Sequence, residues 1–318
     1  MNKTLRIVIG ALMMGVLASV GAGWYFLEYA LRPANRGRDV DESYRVMFET
    51  YPGLNAWVDS LRCEEALRDT FVQATDGARL HGLFIPAQTP TGRTAVVVHG
   101  YTDNAVRMLM IAQLYHQALG FNVLLPDLRN SGLSDGDVYS MGWLDRPDLH
   151  RWLAVADGLG QDSSRLVLHG ISMGAAAVMM LSGDGLPATV KCVVEDCGYT
   201  DVWTQFVHVL KLEYGLPAFP IVYMADALCR LRYGWNFREA SPLQAVQRAT
   251  VPMLFIHSDA DTYVPSAMVH SLYAAKKGEK SLWTPPHSPH AMSYRDHRKE
   301  YTERVKTFVQ QYVDHAND

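Results

Sequence analysis

The pentapeptide Gly170-Ile171-Ser172-Met173-Gly174 holds the residues best suited to chemistry in this 318-residue chain. It follows an apolar, β-branched stretch and precedes an apolar stretch rich in alanine, a pattern that predicts a strand, a sharp turn and a helix. The two glycines leave room for the backbone to cross, so the turn would present the Ser172 hydroxyl as a nucleophile. The Met173 N–H, at the start of the predicted helix, would face an oxyanion on a substrate. The alternative interpretation is an ordinary glycine-rich turn between a strand and a helix, in which Ser172 has no catalytic role.

A serine nucleophile needs a general base and a carboxylate that orients the base. In this type of site the carboxylate comes after the serine in the chain and the histidine comes after the carboxylate, and each of them follows a later strand. Two carboxylates, Asp259 and Asp261, follow a predicted strand at residues 253–257, and two histidines, His287 and His290, follow the last predicted strand. From the residues alone either member of each pair could serve, while the other caps a helix or lies on the surface.

A second oxyanion donor is expected after an early central strand. Residues 94–99 predict such a strand, and Gly100 directly after it permits close approach of the backbone. We therefore expect the N–H of Tyr101 to be the second donor. His99, at the end of the strand, is expected to orient this loop through hydrogen bonds rather than to act as the base.

Short apolar strands alternate with amphipathic helices along most of the chain, which predicts a mostly parallel sheet. An Asp-Gly turn between the alternating segments 70–75 and 79–85 predicts an antiparallel hairpin that opens the sheet. The alternation breaks at residues 199–250, which predict a small helical lid insertion. Because ligands bind at the carboxyl ends of parallel strands, the insertion should cover the site. Its many aromatic residues could line an acyl pocket or form its own core.

An uncharged run at residues 7–27 follows Lys3 and Arg6. As a helix it would be about 31 Å long, close to the thickness of a bilayer core. Three aromatic residues near its end fit a membrane interface: Trp24, Tyr25 and Tyr29. The run predicts an uncleaved single-pass anchor, with a signal peptide cut after Ala22 as the alternative. Positive charges on the two sides, Arg36 among them, nearly balance and leave the orientation undecided.

The composition is that of an ordinary globular protein, with 48% hydrophobic residues and a formal net charge of −4, and no basic stretch indicates nucleic-acid binding. The four cysteines are scattered and no spacing is typical of a metal site, so we expect neither a metal nor a cofactor. Three segments are predicted: a membrane anchor at residues 1–31, a linker or helical extension at 32–67, and a catalytic domain at 68–318 that contains the insertion.

These motifs resemble those of serine hydrolases of the α/β-hydrolase superfamily, in particular its bacterial membrane-anchored members that are similar to acylaminoacyl peptidases and cinnamoyl esterases. The resemblance covers residues 70–312 and rests on these segments: His99-Gly100-Tyr101, Asp127-x-Arg129-x-x-Gly132-x-Ser134, residues 170–174, Glu195-Asp196-Cys197-Gly198-Tyr199, Asp261-x-x-Val264-Pro265 and His290. Two positions depart from it: Ala175 replaces a further glycine, and Asn130-Ser131 replaces the commoner Gly-His.

The resemblance implies an α/β-hydrolase fold in which Ser172 is the nucleophile, Asp261 the acid and His290 the base. Tyr101 and Met173 would donate the N–H groups of the oxyanion hole. It also implies a catalytic domain held outside the cytoplasmic membrane.

The expected reaction is hydrolysis of carboxylic esters of small molecules through an acyl-enzyme. Peptidase, thioesterase and acyltransferase activities are alternatives on the same residues, and a non-catalytic binding protein is a remote one. Relatives that cleave peptides commonly add a propeller domain or an acidic residue that captures a free amino terminus. This chain inserts only residues 199–250, with scattered acids, which favours esters.

Overall fold

The computed structural model describes residues 3–33, 37–160 and 163–314. Parts of the predicted segments lie outside the described residues: residues 1–2 of the anchor, 34–36 of the extension with Arg36, and 161–162 and 315–318 of the catalytic domain. The chain divides into two compact units. The insertion unit consists of residues 3–33 and Asp201–Ala240, and the sheet unit of residues 37–200 and 241–314.

The described residues of the sheet unit form eight strands. In chain order they are β1 Arg68–Gln73, β2 Arg79–Ile85, β3 Arg93–Val98, β4 Asn122–Pro126, β5 Arg165–Ile171, β6 Val190–Asp196, β7 Met253–Ile256 and β8 Lys280–Trp283. Their order in the sheet is β1-β2-β4-β3-β5-β6-β7-β8. Strand β2 is antiparallel to β1 and β4, and every other pair is parallel. The prediction of a mostly parallel sheet opened by an antiparallel hairpin is confirmed.

The helices are α1 Lys3–Leu31, α2 Val40–Thr50, α3 Leu54–Cys63, α4 Leu109–Gln113, α5 Arg146–Gly160, α6 Met173–Ser182, α7 Val202–Tyr214, α8 Ile221–Tyr233, α9 Pro242–Val246, α10 Ala267–Ala275, α11 Ser293–Asp296 and α12 Arg298–Val313. Residues 105–119, between β3 and β4, do not form one uniform helix. A 3₁₀ turn at Ala105–Met108 precedes α4, and a wider π turn at Leu114–Leu119 follows it. Side chains fix the tight first turn, because Asn104 accepts the N–H of Val106 and Asp127 accepts that of Ala105.

Helices cover the sheet: α5 and α6 contact β3 and β5, and α12 contacts β5 and β6. The segment predicted as a linker or extension also contributes to the core. Six apolar side chains of α2, α3 and their connection belong to the main core cluster: Met47, Tyr51, Leu54, Trp57, Val58 and Leu61. Since burying such side chains removes apolar surface from water, residues 40–63 stabilise the sheet unit rather than merely connecting to it.

The order of the strands reverses beside β3. Strand β4 pairs with one side of β3 and β5 with the other, and both pairs are parallel. The loops that follow β3 and β5 therefore diverge and leave a crevice at the carboxyl ends of the strands, where open sheets bind their ligands. Gly100 and Ser172 each follow one of these two strands. The topology thus brings the two predicted halves of the oxyanion hole to one crevice.

The insertion unit joins α1 to α7 and α8. One face of α1 is buried, at Gly23, Leu27 and Leu31, and a side chain on Gly23 would collide with Met224 of α8. Among the described residues α1 is the one helix long and apolar enough to cross a membrane, a property that signal sequences share. Aromatic rings pack within the unit, for example Phe206 against Phe237 with centroids 4.8 Å apart, so part of the aromatic set forms the core of the unit.

Candidate active site

Ser172 occupies the turn between β5 and α6 with a backbone φ of 56° and ψ of −116°, a left-handed region that strains a residue with a side chain. The backbone crosses so closely that a Cβ on Gly170 would collide with the carbonyl oxygen of Gly174, and one on Gly174 with that of Val98. Only glycine fits at both positions. The Ser172 N–H donates to the carbonyl oxygen of Asp196 over 2.8 Å, which ties the turn to β6.

Ser172, His290 and Asp261 form a continuous hydrogen-bonded chain. Ser172 Oγ lies 2.8 Å from His290 Nε2, and His290 Nδ1 lies 2.6 Å from Asp261 Oδ2. With its proton on Nδ1, a neutral imidazole donates to the carboxylate and accepts from the hydroxyl. The Asp261 side chain is only 1% exposed, whereas that of His290 is 19% exposed. The arrangement can therefore accept the serine proton at a place that a substrate can reach.

Donors from its own loop and a second histidine surround Asp261. Its Oδ1 accepts the N–H groups of Tyr263 and Val264 at 3.0 and 2.9 Å. The fully buried His257 places Nε2 2.9 Å from the Val264 carbonyl oxygen and 3.2 Å from Asp261 Oδ2. Because a carbonyl only accepts, this nitrogen carries the proton. Burial opposes the charge, but hydrogen bonds from His257 and His290 outweigh burial and hold the pKa of Asp261 well below its ordinary value.

The two predicted oxyanion donors belong to segments beside Ser172. Met173 is the first residue of α6, and the first N–H groups of a helix have no acceptor within it. Tyr101 follows Gly100, where an added Cβ would lie 3.5 Å from the Cβ of Ser172. The loop after β3 therefore passes next to the serine. The assignment of these two N–H groups as oxyanion donors stays a prediction.

Two further carboxylates, Glu195 and Asp196, are buried at the end of β6. Burial raises the pKa of Glu195 to about 8 and that of Asp196 to about 6. Each accepts one hydrogen bond: Glu195 Oε2 from the Gly198 N–H at 3.1 Å, and Asp196 Oδ2 from the Tyr301 hydroxyl at 2.9 Å. Too few donors compensate their burial, in contrast to Asp261. Glu195 is therefore mainly neutral at pH 7 while Asp261 is charged.

The other candidates from the sequence have different contacts. Asp259 Oδ1 accepts the backbone N–H of His287 at 2.8 Å, an exposed contact between two loops. The buried His99 accepts the Leu128 N–H with Nε2 at 2.9 Å, and its Nδ1 lies 2.8 Å from the Gly100 carbonyl oxygen. His99 thus connects the loops after β3 and β4, as expected for an orienting residue.

Among the described residues, one group of side chains brings together atoms that could bind a metal ion. A sulfur of Cys197, an oxygen of Asp261 and a nitrogen of His290 lie within 4.8 Å of one another. Burial raises the pKa of the Cys197 thiol well above its ordinary value, and the thiolate is the form that binds metal. Asp261 and His290 are hydrogen-bonded to each other. The donor set therefore suits an acid–base pair better than a metal ion.

Comparison with known proteins identifies the family. Residues 111–316 match the Prolyl oligopeptidase family. The chain is also 30% identical to the uncharacterised protein YqkD of Bacillus subtilis (strain 168), over 99% of each chain. The chain belongs to the prolyl oligopeptidase family. It is a serine hydrolase with the α/β-hydrolase fold, as its motifs predict.

Solved structures with this fold include an esterase and a peptidase. The esterase Pf2001 of Pyrococcus furiosus superimposes with a TM-score of 0.64 at 21% identity, covering 78% of this chain and 91% of the esterase. The acylaminoacyl peptidase of Pyrococcus horikoshii gives a TM-score of 0.58 at 19% identity, covering 79% of this chain and 42% of the peptidase. The resemblance to esterases and acylaminoacyl peptidases is confirmed, and at these identities it shows the fold alone.

In this member of the prolyl oligopeptidase family, the structure adds residues to which sequence reasoning assigned no role. His257 contacts Asp261 directly. Glu195 and Asp196 are buried beside the loop of Gly198 and the Tyr301 hydroxyl. The sequence holds a signal for each, because charged or titratable residues directly follow or end apolar strands, β7 for His257 and β6 for the two acids. Polar residues at such positions reach the carboxyl edge of the sheet, where the site lies.

Glu195→Gln should change how stability depends on pH. The folded-state pKa of about 8 lies above the ordinary glutamate pKa of 4.5, so the stabilisation by protonated Glu195 is fully present below about pH 4.5 and is lost as the pH rises through about 8. Its loss can cost up to about 5 kcal/mol. A neutral glutamine does not titrate, so the variant should lose less stability than the wild type between pH 5 and 9, measured by urea unfolding.

A matched control is Glu300→Gln, which neutralises an exposed glutamate paired with Arg304 on α12. This variant should keep the wild-type slope of stability against pH. Equal slopes for Glu195→Gln and the wild type would contradict the neutral state of Glu195.

Proposed function

We propose that this serine hydrolase cleaves carboxylic esters of small molecules, with Ser172 as nucleophile, His290 as general base and Asp261 as the carboxylate that orients the base. The observation that carries the proposal is the unbroken chain of two hydrogen bonds, 2.8 and 2.6 Å long, from the Ser172 hydroxyl to the Asp261 carboxylate. The strained turn at Ser172 supports it, because such strain is found where a nucleophile is held exposed.

In the proposed reaction Ser172 Oγ attacks the carbonyl carbon of the ester while its proton moves to His290 Nε2. The ionised Asp261 stabilises the resulting imidazolium. The N–H groups of Tyr101 and Met173 would stabilise the negative oxygen. The alcohol leaves with the proton from His290, and a water molecule, deprotonated by the same imidazole, then releases the acid from the acyl-enzyme.

The choice of esters over peptides rests on one observation and one chemical argument. The esterase Pf2001 is covered over 91% of its length, whereas the acylaminoacyl peptidase is covered over 42% of its length. An amine is also a poorer leaving group than an alkoxide and must be protonated as it departs, so a peptidase has to position its substrate more accurately beside the histidine. Peptide hydrolysis is the second candidate function, which the peptidase match favours.

We further propose that α1 is a single-pass membrane anchor and that the sheet unit lies outside the cytoplasm. The apolar window of α1 is not covered by any other part of the chain that the structure describes. An apolar helix of this length is stable when lipid surrounds it. The extracytoplasmic side follows from the resemblance to membrane-anchored relatives.

The first test of the proposed function removes the three groups one at a time. Ser172→Ala and His290→Ala should each lower kcat for an ester by about 10⁵-fold or more, and Asp261→Asn by about 10⁴-fold, because the triad acts as a unit. Steady-state assays and labelling with a fluorophosphonate probe would measure the effect. Thermal unfolding should show that Ser172→Ala keeps the wild-type stability within about 1 kcal/mol.

The neighbouring residues provide the control for this series. Asp259→Asn and His287→Ala should keep kcat within about threefold of the wild type, since their contact is an exposed loop hydrogen bond. Full activity of Ser172→Ala, or stronger losses in these controls than in Asp261→Asn and His290→Ala, would refute the assignment.

The second test concerns the class of substrate. We expect ready turnover of p-nitrophenyl acetate or butyrate and at least about 100-fold lower kcat/KM for aminoacyl p-nitroanilides, which corresponds to about 2.7 kcal/mol in transition-state stabilisation. Both substrates release the same kind of chromophore, so one spectrophotometric assay compares them. Similar rates for the two would favour a peptidase.

The anchor predicts the behaviour of the whole protein in cells. Full-length protein should sediment with membranes and resist carbonate extraction, and mass spectrometry should find Lys3 and Arg6 in the mature chain. A mature protein that begins after Ala22 in the soluble fraction would show a signal peptide instead.

A further inference from the structure

The packing of α1 limits how far the bilayer can extend along it. The uncharged run at residues 7–27 is about 31 Å long, close to the core of a bilayer. From Gly23 onward, however, one face of α1 is buried, at Gly23, Leu27 and Leu31. Gly23 lies about 24 Å from Ile7 along the helix. If the apolar core of the bilayer begins at Ile7 and is about 30 Å thick, Gly23 lies within its last 6 Å or so. The protein side chains that pack against this part of α1 must therefore lie at the boundary of the bilayer.

Helix α8 packs alongside this end of α1 and runs in the same direction. Gly23 is closest to Met224, near the start of α8. Glu28, further along α1, forms an ion pair of 2.8 Å with Arg232 near the end of α8. The start of α8 therefore faces the membrane end of the contact, and the end of α8 faces away from it.

The residues at the two ends of α8 differ as a membrane boundary requires. Residues 214–225 contain no charged side chain. Within them Phe219 is 69% and Tyr223 is 46% exposed, and their rings are in contact, with centroids 5.5 Å apart. Tyr223 also contacts the ring of Trp203 at 4.8 Å. Arginines occupy the last turn of α8, at Arg230 and Arg232.

Aromatic side chains prefer the interface between lipid and water, and an arginine near them can reach anionic headgroups. The guanidinium of Arg238 lies 3.4 Å from the centroid of the Trp203 ring. A cluster of tyrosine, phenylalanine and tryptophan with an arginine at its edge thus matches the chemistry of a lipid interface.

We propose that Phe219, Tyr223, Trp203 and Arg238 form a bilayer-contact surface that lies in the interfacial layer of the same membrane that α1 crosses. The partner is the lipid bilayer, with the aromatic rings at the level of the headgroups and the upper acyl chains. The insertion unit is then held on the membrane by two elements, the spanning helix and this surface. The inference rests on the proposed anchor and is independent of the proposed ester hydrolysis.

Site-specific fluorescence on the full-length protein tests this surface. The exposed Cys63 is replaced by serine, and the other three cysteines are buried. An environment-sensitive dye is then attached in Phe219→Cys, just before α8, or in Leu231→Cys as the matched control. Leu231 is 84% exposed and lies near the end of α8. Both proteins are reconstituted into vesicles of phosphatidylcholine and phosphatidylglycerol and washed with carbonate. Quenching by spin-labelled lipid is compared with quenching by aqueous iodide.

At position 219 we expect blue-shifted emission and quenching by spin-labelled lipid at least about threefold stronger than at position 231, with the opposite ranking for iodide. Equal accessibility of both positions to iodide would overturn the bilayer-contact surface. Protection of position 219 from both quenchers would also overturn it, because protein rather than lipid would then cover the residue. Loss of the protein in the carbonate wash would overturn the anchor and the bilayer-contact surface together. Ester turnover is measured separately on the unlabelled protein, because it tests the proposed hydrolysis and not this surface.

Discussion

The crossing of the backbone between the end of β5 and the start of α6 is the constraint on which the candidate site depends. There is room for no side chain at Gly170 or Gly174, and Ser172 between them is held in a left-handed conformation. Strain of this kind, typically about 1–3 kcal/mol, persists only where the surroundings enforce it. Here the enforcing contacts are the hydrogen bond from Ser172 to β6 and the close approach to Val98 at the end of β3. The same turn aims the hydroxyl at His290 and begins the helix at Met173.

Whether a buried carboxyl group near this turn is charged depends on the hydrogen-bond donors around it rather than on whether the residue is aspartate or glutamate. Asp261 has two backbone N–H groups and two imidazoles and is ionised. Glu195, which is fully buried, receives one hydrogen bond from Gly198 and is mainly neutral at pH 7. The carboxylate next to the histidine keeps its negative charge because of its own hydrogen-bond donors, and the proposed mechanism requires this charge.

Helix α1 has two different surroundings along its length. Its first turns are exposed and apolar, whereas Gly23, Leu27 and Leu31 pack into the insertion unit. In this second part a glycine permits close helix packing and Glu28 pairs with Arg232. All of it lies after Ala22, so it belongs to the mature protein whether α1 is an anchor or a signal peptide is cut there. The last turns of α1 are thus a structural element of the folded protein, and α2 and α3 contribute in the same way to the core of the sheet unit.

Much of this protein could be predicted from its sequence. Local patterns determined the strands, the hairpin and the turn at Ser172, because alternation, glycine spacing and an Asp-Gly turn act over a few neighbouring residues. The order of the motifs, together with the family resemblance, singled out Asp261 and His290, which the structure brings to Ser172. The choice between Asp259 and Asp261 could not be made from spacing alone.

Only the tertiary structure decided which polar groups share an environment. The second histidine at Asp261, the neutral Glu195 and the packing of α1 against α8 each join residues far apart in the chain or depend on burial from several elements. Sequence patterns record the preference of each segment for water or for the core. A pKa or a helix contact depends on the distances between segments, and those distances exist only after the sheet and the insertion unit have formed.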